Sequence, residues 1–236
     1  MRQGLAKTWL AAFCALALVA LSASNAYAAT KKVDCDNGKS IQKELDGTKD
    51  GDTVEVSGSC IENITITKDS IELIAVSGAS ITAADNANDT ITVLGRNVRI
   101  QGFSPISGGN NAVIVRRGGS AVIEGNTIQN ADNTGVRVTG SSYARIAGNT
   151  ITDNGTTSGG FFGEHGIALR LSSAADILGN FITNNARENG RGSGLPFAIW
   201  RERGGAFCCL LPLAWRDRGE GGGWRGGSSA VRNCRN

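Results

Sequence analysis

The chain has 236 residues, 40% of them hydrophobic and 19% charged, with a formal net charge of +3. That apolar share is too high for a disordered chain, and so small a charge argues against nucleic acid as the partner. It contains no Walker-type loop, zinc spacing, calcium-loop pattern or nucleophile elbow, so neither a metal nor a cofactor is expected.

Residues 1–28 read as a secretory signal peptide. Basic Arg2 and Lys7 precede an apolar run from Trp9 to Leu21, and Ala26-Tyr27-Ala28 is a small-x-small cleavage site. No later segment approaches the ~20 apolar residues of a membrane span. The mature chain is expected to be secreted or periplasmic, beginning near Ala29.

Residues 29–52 contain a short predicted helix, Ser40-Ile41-Gln42-Lys43-Glu44-Leu45, with Ser40 as N-cap and Gly47 after it. Cys35 and Cys60 flank it. Export permits a disulfide between them; the alternative is two unpaired thiols.

From Thr53 the text turns to short alternating strands. Val54-Glu55-Val56 opens the series, followed by Ile64-Thr65-Ile66 with Ile71-Glu72-Leu73, then Ile91-Thr92-Val93 with Val98-Arg99-Ile100. Four tetrads, beginning at Gly102, Gly125, Gly148 and Gly179, then set a spacing of 23, 23 and 31 residues. Aligned on them, Ile100, Ile123, Ile146 and Ile177 form one column, and Val98, Ala121, Ala144 and Ala175 another. Val113, Val136 and Ile167 form a third, with Val115, Val138 and Leu169 beside it, and Ile128, Ile151 and Ile182 a last. Spacing by two within each pair is the mark of a strand with one buried face. A unit this short cannot bury its own side chains and must stack on its copies.

These patterns predict an all-β fold, a right-handed parallel β-helix of about five coils over 53–186. The helix at 29–52 would cap its open end, and Cys35–Cys60 would staple the cap. The Asn column (Asn126, Asn149, Asn180) is expected at corners, in left-handed conformation or in stacked amide hydrogen bonds.

The tail is different. Residues 187–236 hold nine Arg against four acidic residues, with eleven Gly and three of the four Trp. It could be a basic arm for anionic polymer or nucleic acid, or a disordered tail. The preferred reading is unstructured, out-of-frame text, since Arg, Gly, Trp, Cys and Pro are what an altered frame of GC-rich DNA yields.

The columns, the secretory start and the opening Val33-Asp34-Cys35…Gly51-Asp52-Thr53-Val54-Glu55-Val56-Ser57-Gly58-Ser59-Cys60 resemble exported β-helix proteins of the pectate-lyase-like superfamily. The Gly-Asn-x-Ile unit is similar to the parallel β-helix repeat of carbohydrate-binding and sugar-hydrolase proteins. The resemblance, over about 34–186, implies a polysaccharide or cell-envelope glycan as partner.

Chemistry must then sit on outward positions or corner loops. One face presents Arg99, Val122, Arg145 and Asp176, then Gln101, Glu124, Ala147 and Leu178; Glu124 beside Arg145 reads as a surface ion pair. The other presents Ile114, Arg137 and Ala168, then Arg116, Thr139 and Arg170. Two Arg separated by a Thr could grip an acidic sugar polymer. Candidate carbohydrate contacts are Asp132, Asp153, Phe161, Phe162, Glu164, His165 and Arg170, gathered around a corner lengthened within Thr156–Glu164. No complete catalytic site is visible, so the expected function is to bind or scaffold polysaccharide. The alternatives are a fragment of a polysaccharide lyase or glycoside hydrolase, and a structural or adhesive surface solenoid. Asn63, Asn88 and Asn154 match the glycosylation acceptor pattern, as chance allows in so Asn- and Thr-rich a chain. The oligomeric state is left open.

Overall fold

A computed structural model describes residues 28–155, 165–185 and 197–199, the last as backbone alone. Residues 1–27 of the expected leader lie outside these. β1 (Thr30–Asp34) and a short helix α1 (Ile41–Asp46) come first. Three-stranded coils follow: β2 (Thr53–Ser57), β3 (Ser59–Ile61) and β4 (Ile64–Ile66); β5 (Glu72–Ala75), β6 (Ser80–Thr82) and β7 (Ile91–Val93); β8 (Val98–Gln101), β9 (Ile106–Ser107) and β10 (Asn111–Val115). β11 (Ser120–Glu124), β12 (Thr127–Gln129) and β13 (Thr134–Val138) make the fourth coil, and β14 (Tyr143–Ala147), β15 (Thr150–Thr152) and β16 (His165–Leu169) the fifth. β17 (Ala174–Leu178), β18 (Phe181–Thr183) and β19 (Phe197–Ile199) continue the stack.

Equivalent strands pair in parallel, giving three sheets: β1-β2-β5-β8-β11-β14-β17, β3-β6-β9-β12-β15-β18 and β4-β7-β10-β13-β16-β19. Ile100 pairs with Ile123, Ile123 with Ile146 and Ile146 with Ile177, so the predicted column is a true stack. Its members are fully buried as far as Ile146; Ile177 and Ile182, in the last coil, are only half-buried. The core is thus a set of aliphatic columns, each rung about 4.8 Å above the last.

The corners show the expected stacked amides and depart from expectation in their backbone. At the first, Gly125, Gly148 and Gly179 take the left-handed conformation (φ 63, 61 and 59°), not the Asn that follows each. Glycine adopts it without a Cβ clash, which leaves Asn free to turn inward. Asn149 Nδ2 donates to Ile123 O and to Asn180 Oδ1, both at 2.9 Å. Its Oδ1 accepts from Asn126 N at 3.0 Å and Asn126 Nδ2 at 3.1 Å. Phe103 ends the ladder, its N–H donating to Asn126 Oδ1. A second ladder runs at the next corner, where Asn154 and Asn185 repeat the same contacts after the left-handed Asp153 and Asn184.

The capping helix and its staple are present. Ser40 Oγ accepts from Lys43 N–H, and Cys35 is bonded to Cys60. Glu62 closes the helix N-terminus, accepting from Ile41 N (2.7 Å), Gln42 N (3.1 Å) and Ser40 Oγ (2.8 Å). Lys31 Nζ closes the other end on Gly47 O at 2.6 Å, so each helix pole meets the complementary charge. Gln42 reaches the bare edge of β4, accepting from Thr65 N at 2.7 Å and donating to Thr65 O at 3.3 Å. Asp36 Oδ1 accepts from Ser59 N at 2.9 Å on the edge of β3. Side chains here do the work of a missing strand.

Two strands lie outside the predicted span of 53–186. β1 precedes the helix and pairs with β2, adding Val33 to the core. β19 falls inside the segment expected to be unstructured. Its register sets Phe197 against Ile167 and Ile199 against Leu169, because Phe-Ala-Ile supplies the alternation the column requires. The remainder of 186–236 lies outside the described residues.

Candidate functional site

The third sheet carries the distinctive exterior. Register lines up Thr92, Ile114, Arg137 and Ala168 in one outward column. Beside it, Arg116, Thr139 and Arg170 occupy successive coils, each N–H bonded to the strand before. One guanidinium per coil therefore alternates between the two columns over β10, β13 and β16. Ile114 and Ala168 are buried although they point away from the core. Arg137 stands between them in register, where its aliphatic stem can cover both.

The electrostatics are uneven. Arg99 on the first sheet is paired with Glu72 at 3.5 Å and with Glu124, so Glu124 partners Arg99 rather than Arg145 as expected. No ion pair among the described residues involves Arg116 or Arg137. Their Nε atoms are buried with no hydrogen-bond partner among those residues. Burial holds the Arg137 guanidinium below its ordinary pKa, and the charge of Arg170 adds to this, while Asp89 opposes it. An anion delivered to this face would relieve that repulsion.

A cleft of about 490 Å³ opens beside the strip, lined by Asn63, Thr65, Asn88, Asp89, Thr92 and Arg116 among others. Its floor is fixed. Asn63 Nδ2 donates to Asp85 O and Asp89 O, both at 3.0 Å, and Asp89 Oδ1 accepts from Asn111 Nδ2 at 2.6 Å. Sequence reasoning passed over this cleft. The cluster Asp85-Asn86-Ala87-Asn88-Asp89 was its visible trace, but that stretch belongs to none of the aligned columns.

The sequence candidates divide. Phe161, Phe162 and Glu164 lie outside the described residues. His165 opens β16 and is 4% exposed, with neither ring nitrogen hydrogen-bonded among the described residues. Burial, then the charge of Arg170, holds it below the ordinary histidine pKa. His165, Arg170 and Arg137 thus share one electrostatic neighbourhood. Asp132 and Asp153 do not occupy equivalent corner positions. Asp153 aligns with Asn130, both left-handed, and accepts from Thr152 Oγ1 at 2.8 Å. Asp132 lies two residues past Asn130, its N–H on Gly109 O. The acceptor-pattern Asn154 is wholly buried in its ladder, and the Asn63 amide is committed to the cleft floor. The arrangement suits a ligand with anionic groups and many hydroxyls, met by guanidinium forks and side-chain amides.

The family described as right-handed β-helix region matches residues 87–198. Over 122 residues the chain is 34% identical to a cell surface glycoprotein of Methanothermus fervidus, an alignment covering 49% of this chain. The chain spans only 20% of that relative's length. No solved structure matches it. Three parallel sheets in unbroken register, together with the family match, make this chain a right-handed parallel β-helix protein.

Proposed function

We propose that the protein is exported to the cell surface and binds polysaccharide along the outer face of its third sheet. The observation carrying this reading is the arginine strip: Arg116, Arg137 and Arg170 on three successive coils, two with buried Nε atoms lacking partners among the described residues. A strip that crosses coils suits an extended polymer better than a small molecule, and its charge selects acidic sugars. The leader-like start, the disulfide and the name of the glycoprotein relative support the location. Phe161, Phe162 and Glu164, which precede β16 in the sequence, remain candidate sugar contacts in this reading.

Binding to a panel of acidic and neutral polysaccharides by titration calorimetry tests the proposal. Acidic polymers should bind, and Arg116→Ala with Arg137→Ala should weaken them by about tenfold or more. Equal affinity in the double variant would refute the site. Binding to no polymer would favour a structural or adhesive solenoid, and release of unsaturated products or new reducing ends would favour a lyase or hydrolase fragment.

A further inference from the structure

The first coil contains a carboxylate that fits a chain start. Asp52 is 5% exposed and accepts two backbone hydrogen bonds, from Lys49 N to Oδ2 and from Ala29 N to Oδ1, each at 2.8 Å. Ala29 O in turn accepts from Thr53 N at 2.9 Å, so Ala29 is held from both sides. The backbone N–H groups of Lys49 and Ala29 hold the Asp52 carboxyl below its ordinary pKa, with the charges of Lys31 and Lys49 assisting against its burial. It is therefore an anion at neutral pH. Ala28 and Ala29 are exposed, and Ala26-Tyr27-Ala28 immediately precedes the bond between Ala28 and Ala29.

We propose that Asp52 is the receptor for the mature N-terminus: hydrolysis of the Ala28–Ala29 bond places the new α-ammonium of Ala29 on the Asp52 carboxylate and locks the first coil. A signal-peptidase-class protease adds water across the amide. The Ala28 carbonyl departs as a carboxylate, and the Ala29 nitrogen gains protons to become an ammonium. Before cleavage that nitrogen is a neutral amide donor; afterwards the same 2.8 Å contact joins opposite charges, a stronger hydrogen bond. β1 gains most. It is the edge strand of its sheet and pairs with β2 alone. The proposal rests on the export half of the functional reading and is independent of polysaccharide binding.

Intact mass of the exported protein should give a chain beginning at Ala29. The mature chain is then compared with its Nα-acetylated form, each also as Asp52→Asn, by urea unfolding. Acetylation should raise the unfolding constant about fivefold with Asp52 present and leave it nearly unchanged in Asp52→Asn. The α-amine of the folded protein should titrate above the usual ~8. The added stability is then complete below the unfolded value and fades as pH rises through the folded one. An exported chain starting elsewhere overturns the inference while sparing export; an uncleaved chain overturns it and the leader reading together. Equal acetylation effects in both backgrounds, or an α-amine titrating at its ordinary value, likewise refutes it.

Discussion

Replacing Asn149 by alanine tests the ladder at its centre. The side chain is 1% exposed and makes four hydrogen bonds, two as donor and two as acceptor. Truncation leaves Ile123 O and Asn126 N without the partners Asn149 supplies, in space too closed for ready hydration. Asn126 Nδ2 keeps only its bond to Ile100 O. At about 1–3 kcal/mol for each group left unsatisfied, two orphaned backbone groups give roughly 2–6 kcal/mol. Asn180, half-buried in the last coil, should cost clearly less as Asn180→Ala. Urea unfolding followed by far-ultraviolet circular dichroism reads both. If Asn149→Ala costs under about 1 kcal/mol, or no more than Asn180→Ala, these amides merely fill a turn and the account of the corners is wrong.

Gly95→Ala should destabilise by about 1–3 kcal/mol or more, because an added Cβ would fall 2.0 Å from Lys68 O, a backbone atom with little room to move; thermal melting reads it. His165 is held neutral in the fold, so the unfolded chain binds the extra proton below its ordinary pKa of 6.5. Stability should accordingly fall as pH drops below that value, and His165→Gln should flatten the slope between about pH 6.5 and 5; an unchanged slope would acquit His165. Reducing Cys35–Cys60, or Cys35→Ser with Cys60→Ser, should cost about 3 kcal/mol for its 25-residue separation and speed amide exchange at Ser59, which Asp36 holds from the residue after Cys35.

The sequence disclosed the stack because its columns are redundant. Ile100, Ile123 and Ile146 record the same packing three times, and a single misread residue could not erase the period. The cap was legible for another reason: Ser40 and Gly47 mark helix ends by local chemistry, and a solenoid needs its end covered. What escaped notice was written once. β1 reads Thr-Lys-Lys-Val-Asp, with a lysine at the inward position because Lys31 meets helix carbonyls there and not the aliphatic core. The second amide ladder was masked because Ala131 occupies the first place in its column, so only Asn154 and Asn185 continue it. The arginine strip was visible as alternation. That no ion pair among the described residues involves Arg116 or Arg137 was not, since ion pairing depends on neighbours the aligned text does not place: Glu124 lies near Arg145 there while the fold gives it to Arg99.

The amide ladders also govern how such a molecule can change size. Asn126 and Asn149 are 23 residues apart, and Asn149 and Asn180 are 31 apart, yet each pair makes the same bonds. The eight extra residues fall between β15 and β16, and the next amide still arrives on station. Duplication or deletion of one whole unit preserves every contact, whereas a change of a few residues within a strand dislocates all the columns at once. Length in this protein is therefore quantised, and a lineage built on it can lengthen or shorten its outer face in whole steps without redesigning the interior.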